Sequence, residues 1–173
     1  RASPNKAMTA YPAGKVIDWG PFYPFLAAVL CLITGAATRS AIIATVGFVS
    51  PVLAVLMVPV MYGIGKKVGD YKTGLVAAGL ISVTSLVYFS FSSYGMIDHH
   101  IAEVLFSTLF FLTYIFAVSY VKSHPIDLKN RETLYFPVIY SGITGVIFFL
   151  ALLASTTVVI TLLIIAIYTL VQF

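Results

Sequence analysis

Asp98, His99, His100 and Glu103 stand close together in the stretch SSYGMIDHHIAEVLF, Ser92 to Phe106, between two long apolar runs. A carboxylate beside lipid is costly and marks either a function or a firm partner. Asp98 directly precedes a helix-prone run, where an aspartate accepts backbone N–H bonds as N-cap. That role accounts for the aspartate but not for two histidines, since the dipole at a first helical turn disfavours a charged imidazolium. On one continuous helix, Asp98 and His100 point about 200° apart. With Asp98 in a non-helical cap conformation, the two side chains converge on one ion. Glu103 lies three residues after His100 and four after His99, so it can hold a ligating imidazole by its other nitrogen. A carboxylate with an imidazole suits Mn²⁺, Mg²⁺ or Zn²⁺, with the oxygen-rich remainder supplied from elsewhere. The same turn offers free N–H groups and a positive dipole end to an anionic phosphate. Metal, helix N-terminus and membrane surface together suggest chemistry on a lipid-linked phosphate. A simple capped turn is the competing account at this point.

The elements that must position this turn are membrane helices. Of 173 residues, 60% are hydrophobic and 9% charged, and the mean hydropathy is +1.02. Soluble domains carry about 25% charged residues, so the composition predicts an all-α, polytopic membrane bundle. Few of the charges behind the net +4 cluster, which argues against a nucleic-acid surface. Cys31, the single cysteine, reads as a packed, inert thiol. A helix needs about 20 apolar residues to span a bilayer. The spans expected are 41–64, 73–92, 101–121, 136–154 and 156–173, preceded by a loop over 1–20 and a shorter helix over 21–37. Pro51 and Pro59 are expected to bend the first span. The long run 136–173 is broken at Ser155-Thr156-Thr157, with one kinked, tilted helix as the alternative. The chain ends are expected to be those of a piece of a longer protein, one incomplete domain.

Basic residues give the orientation. Lys66, Lys67 and Lys72 flank one loop, and Lys122, Lys129 and Arg131 another. Under the positive-inside rule both loops are cytoplasmic, which puts the Asp-His-His turn on the extracytoplasmic side. The run 21–37 is barely long enough to cross, and it begins with Pro21, Pro24 and the aromatics Phe22, Tyr23 and Phe25. It is expected to lie at the outer interface, leaving 1–20 outside with Asp98.

YPAGKVIDWGPFYPFLAAVL (Tyr11–Leu30), followed by GMIDHHIAEVLFS (Gly95–Ser107), resembles the membrane domain of the catalytic subunit of archaeal oligosaccharyltransferases of the AglB type. The resemblance implies a GT-C-type membrane fold in an archaeal plasma membrane. It also implies transfer of an oligosaccharide from a dolichyl-phosphate-type carrier to Asn in Asn-x-Ser/Thr, with Mn²⁺ or Mg²⁺. Asp98 and His100 match the outer positions of the second acidic motif, the metal-binding and catalytic pair, with Glu103 and His99 supporting them. Asp18 and Trp19 fall in the block expected to face the donor lipid. The partners implied are the lipid-linked donor, the acceptor polypeptide and membrane lipid. A first-loop aspartate, expected upstream of Arg1, would complete the metal set; nothing before Asp18 is acidic. At Ala154–Thr157 the sequence departs from the tryptophan and glycine expected there.

Two other functions compete. A transporter would use Asp98, His99 and His100 as a proton relay, but that needs further acidic or imidazole groups inside neighbouring spans, and none occurs there. A membrane scaffold with a capped hairpin leaves the paired histidines unexplained.

Overall fold

The computed structural model describes residues 20–83, 86–124 and 130–172. Among them the fold is all-α: α1 (Phe22–Thr34), α2 (Arg39–Val46), α3 (Val49–Val68), α4 (Tyr71–Val83), α5 (Leu86–Ser92), α6 (His100–Ser123), α7 (Arg131–Ala154), a 3₁₀ turn (Thr156–Val158) and α8 (Val159–Gln172). Among the described residues, three segments are long and apolar enough to cross a membrane: Arg39–Val68, α6 and α7. At 1.5 Å per residue, each 24-residue helix reaches about 36 Å, more than the ~30 Å hydrocarbon layer. With 13 residues, α1 reaches only about 20 Å.

Several boundaries differ from those read in the sequence. The first long segment is interrupted by a turn at Gly47–Phe48, ahead of either proline. Pro51 sits in the first turn of α3, where a missing N–H costs nothing, and Pro59 lies inside the helix. The expected span over 73–92 is described as α4 and α5. In α4 the hydroxyl of Ser82 donates back to the Ala78 carbonyl at 2.8 Å, a contact that competes with the helical ladder. Asp70 precedes α4 and accepts the Thr73 N–H and hydroxyl, both at 2.9 Å. Those bonds, the backbone one first, hold its carboxyl below the usual aspartate value. α7 begins at Arg131, five residues before the apolar run, because Asn130 caps it by accepting the Glu132 N–H at 3.0 Å. The run beyond it is two helices, separated at Ser155, whose backbone is extended (φ −156°, ψ 140°).

α3 packs along α4 and α6, and α6 along α7. The buried core lies at one end of this bundle. Val49, Leu53, Met57 and Val60 follow one stripe of α3 and meet Ile101, Ala102 and Leu105 from the first turns of α6. Phe22 and Tyr23 of α1 and Ala154 of α7 close the cluster, with the Phe22 ring edge-on to Phe106 at 4.8 Å. At the other end of the helices stand Lys66, Lys67, Lys122 and Arg131. Lys67 Nζ lies 5.1 Å from the centre of the Phe116 ring, well along α6. Among the described residues, this buried cluster lies beneath the start of α6, next to Asp98 and His100.

Candidate metal centre

Asp98 reaches the site on a short strap between α5 and α6, and the strap is fastened to α1, α2 and α3. Gly95 takes a left-handed backbone (φ 83°), a conformation that glycine adopts without strain. Its N–H donates to the Gly47 carbonyl at 3.1 Å. Gly47 permits this approach: a Cβ there would lie 2.8 Å from the Tyr94 ring. Tyr94 in turn donates its hydroxyl to the Ala44 carbonyl at 3.2 Å. Next along the strap, the Met96 carbonyl accepts the Ser50 hydroxyl at 2.5 Å. The Tyr23 hydroxyl is 2.9 Å from Ser50 Oγ and 3.5 Å from the Met96 carbonyl. Ser50 is fully buried, so these bonds satisfy a hydroxyl that water does not reach.

The strap delivers Asp98 to the start of α6. Its Oδ1 accepts the His100 N–H at 3.1 Å, as an N-cap does for the second residue of a helix. The helix itself is assigned from His100, with His99 already in helical conformation (φ −74°, ψ −18°); a one-residue difference at a terminus is a matter of convention. The same Oδ1 lies 3.9 Å from His100 Nε2 and 3.2 Å from His99 Nδ1. His99 lies against the carboxylate, its ring 4.3 Å from that of His100. The turn explains this: His99, which follows the capping Asp98, has helical dihedrals, and its Nδ1 lies against the Asp98 carboxylate.

Glu103 holds the other side of His100, with Oε2 3.1 Å from Nδ1. A carboxylate only accepts, so Nδ1 carries a proton, and in the neutral ring Nε2, on the Asp98 side, is the nitrogen free to bind a metal. The same argument makes His99 Nδ1 a donor to Asp98. Glu103 Oε1 accepts the Thr157 hydroxyl, and Phe91 stands edge-on to His100 at 5.4 Å between ring centres. Asp98, His99 and His100 each place one ligand atom within 4.8 Å of the others. In a tetrahedral site with bonds of about 2.0–2.2 Å, two ligand atoms lie roughly 3.3–3.6 Å apart. Asp98 Oδ1 and His100 Nε2 are 3.9 Å apart, so a side-chain adjustment of a few tenths of an ångström lets this donor set take a divalent cation. A cleft of about 400 Å³, lined by Tyr23, Pro24, Ile97, Asp98 and His99, opens beside it.

Of the residues singled out in the sequence, Asp98, His99, His100 and Glu103 come together. Asp18 and Trp19 lie outside the described residues. Gly20, which follows them, packs so closely on the end of α7 that a Cβ would fall 1.8 Å from the Leu153 carbonyl oxygen. The sequence reading missed Ser50, Tyr23 and Thr157. The signals were a serine at the head of an apolar helix and a threonine in the polar cluster read only as a helix break. Asp98 lies before the first turn of a long helix, not at its middle, where a transmembrane proton relay requires it.

The fold and the site together define a class: a helical membrane domain with a carboxylate–imidazole cluster at the head of one long helix. The family described as "Oligosaccharyl transferase STT3, N-terminal" matches residues 5–172, and the chain belongs to it. Over 138 residues the chain is 30% identical to dolichyl-phosphooligosaccharide-protein glycotransferase 3 of Archaeoglobus fulgidus, a match covering 79% of this chain and 16% of that protein. The A. fulgidus oligosaccharyltransferase in its apo form superposes with a TM-score of 0.80 at 25% identity, over 90% of this chain and 18% of that one. Archaeal oligosaccharyltransferase AglB from the same organism, in complex with an inhibitory peptide and a dolichol-phosphate, gives 0.75 and 25% over 86% and 17%. The complex of the A. fulgidus enzyme with Zn and sulfate gives 0.74 and 25% over 86% and 18%. The fold is thus part of a GT-C-type membrane domain, and the chain spans about one sixth of the length of these relatives.

Proposed function

We propose that this chain forms part of the membrane domain of an oligosaccharyltransferase. The enzyme moves an oligosaccharide from a dolichyl-phosphate-type lipid to the amide nitrogen of Asn in Asn-x-Ser/Thr of an acceptor protein. The observation that carries the reading is the convergence of Asp98 Oδ1 and His100 Nε2, with Nδ1 held by Glu103. The A. fulgidus complexes with dolichol-phosphate and with Zn support the same ligand classes here.

Asp98 and His100 hold the divalent metal, Mn²⁺ or Mg²⁺, and further ligands come from outside the described residues. When bound, the metal neutralises phosphate charge and orients the acceptor amide as a Lewis acid. The protein supplies the alignment: Glu103 sets the His100 tautomer, His99 steadies the Asp98 carboxylate, and the strap keeps both over a packed floor. Asp18 and Trp19 face the donor lipid. With Lys66, Lys67, Lys122 and Arg131 at the far helix ends, the positive-inside rule puts the site on the extracytoplasmic face of an archaeal plasma membrane.

The test is glycan transfer to an acceptor peptide by the full-length protein. Asp98→Ala and His100→Ala should each abolish or severely reduce transfer. Loss of an outer partner costs about 10–100-fold, so Glu103→Ala and His99→Ala should fall in between. Asp98→Asn keeps an acceptor for the His100 N–H and removes the charge. Full metal-dependent activity in that variant would reduce Asp98 to a cap and remove the metal assignment.

A further inference from the structure

Thr157 is 54 residues from Glu103 in sequence, yet its hydroxyl donates to Glu103 Oε1. The other oxygen, Oε2, is 3.1 Å from His100 Nδ1. Both oxygens of one carboxylate are therefore engaged from opposite sides, one by α6 and one by the turn that follows α7. We infer that Thr157 is a positioning residue of the metal centre. By occupying Oε1 it restricts Glu103 to the rotamer in which Oε2 meets Nδ1, and so keeps His100 Nε2 turned toward Asp98. The inference rests on the reading of Asp98 and His100 as metal ligands and adds to it a residue from another part of the chain.

The local structure explains why a threonine can do this. Ser155 ends α7 with an extended backbone, and the chain re-enters helix through the 3₁₀ turn Thr156–Val158. The turn is pinned from below: Ala154 and Val158 are 0% and 1% exposed. It is also pinned from within, because Ser155 Oγ lies 3.4 Å from the Thr157 nitrogen and 2.8 Å from Thr157 Oγ1. The serine hydroxyl donates to Thr157 Oγ1 and leaves the threonine's own hydrogen for Glu103. Charge-assisted bonds of this kind are roughly twice as strong as neutral ones. Without the threonine hydroxyl, Glu103 keeps one anchor and gains freedom about its terminal torsion. His100 then spends part of its time with Nε2 away from Asp98. Partners outside the ligands are worth about 10–100-fold in metal affinity, and one acting through another belongs at roughly tenfold, the lower end.

The experiment measures Mn²⁺ affinity of the full-length, detergent-solubilised protein from the electron paramagnetic resonance signal of free Mn²⁺, with the thermal midpoint followed in parallel. Thr157→Val, nearly isosteric, should weaken Mn²⁺ binding about tenfold, and Thr157→Ser should restore it. Because Thr157 acts through Glu103, Thr157→Val added to Glu103→Ala should weaken binding no further than Glu103→Ala alone. Wild-type affinity in Thr157→Val, alongside a large loss in Asp98→Ala, overturns the inference and leaves the ligand assignment standing. Equal losses in Thr157→Val and Thr157→Ser, or additive losses in the double variant, also overturn it, since they assign the effect to the turn and not to the hydroxyl. Undiminished Mn²⁺ binding in Asp98→Ala removes the ligand assignment and this inference together.

Discussion

Replacing Ser50 by alanine should loosen the strap that carries Asp98 while leaving the helices in place. The Ser50 hydroxyl is fully buried; it donates to the Met96 carbonyl at 2.5 Å and lies 2.9 Å from the Tyr23 hydroxyl. The substitution removes a net hydrogen-bond contribution of about 0.5–1.5 kcal/mol and leaves buried groups short of a partner, at about 1–3 kcal/mol for a group left wholly unsatisfied. Tyr23 already lies 3.5 Å from the Met96 carbonyl and can close that gap, so the total belongs between about 1 and 3 kcal/mol. Local opening free energies are read as amide protection. The Gly95 N–H, bonded to the Gly47 carbonyl, should therefore exchange about 5- to 150-fold faster. Hydrogen-exchange mass spectrometry of the full-length protein would report this in peptides covering residues 93–98. Tyr23→Phe should do less, because the Ser50–Met96 bond survives, and the double variant should fall short of the sum of the singles. Unchanged protection of 93–98 in Ser50→Ala, with faster exchange in α3, would refute the idea that Ser50 holds the strap.

Gly20→Ala should destabilise the protein by about 1–3 kcal/mol, as overpacking against fixed atoms does, because the Leu153 carbonyl oxygen that its Cβ would strike is main chain. Gly79→Ala, in a helix interior with nothing within 4 Å, should be neutral or stabilising by up to about 1 kcal/mol; equal thermal midpoints for the two variants would contradict the Gly20 contact. In a Cys31→Ala background, a cysteine at Ser93 should react with an impermeant thiol reagent applied from outside intact cells, and one at Lys67 should not. The reverse pattern would invert the proposed topology.

Much of the fold was legible because lipid imposes a simple rule: apolar runs of sufficient length become helices whose backbone bonds are satisfied internally. α6 and α7 follow that rule closely. The polar ends of helices follow a different one, and there the reading slipped. Asn130 starts α7 within a charged stretch that hydropathy reads as loop. At the site, the Asp98–His100 pair and the Glu103 spacing are local, so sequence distance exposes them. Ser50 and Thr157 act across 46 and 54 residues, and no periodicity connects such positions. His99 turned toward Asp98 because a ring at a helix start is aimed by the preceding turn as much as by the helical wheel.

The bond between Glu103 and Thr157 also bears on the order in which the molecule is built. A chain made from its N-terminus places Ser50, the Asp98 strap and the first turns of α6 in the membrane well before Thr157 has left the ribosome. In that interval Glu103 has its histidine but not its threonine, and the long-range contact waits for α7 and the turn after it to be made. Contacts of high sequence separation close late, and domains acquire their parts in the order of synthesis. On the proposed reading, a chain interrupted before Thr157 would keep Asp98, His99, His100 and Glu103 but lack the second anchor on the Glu103 carboxylate.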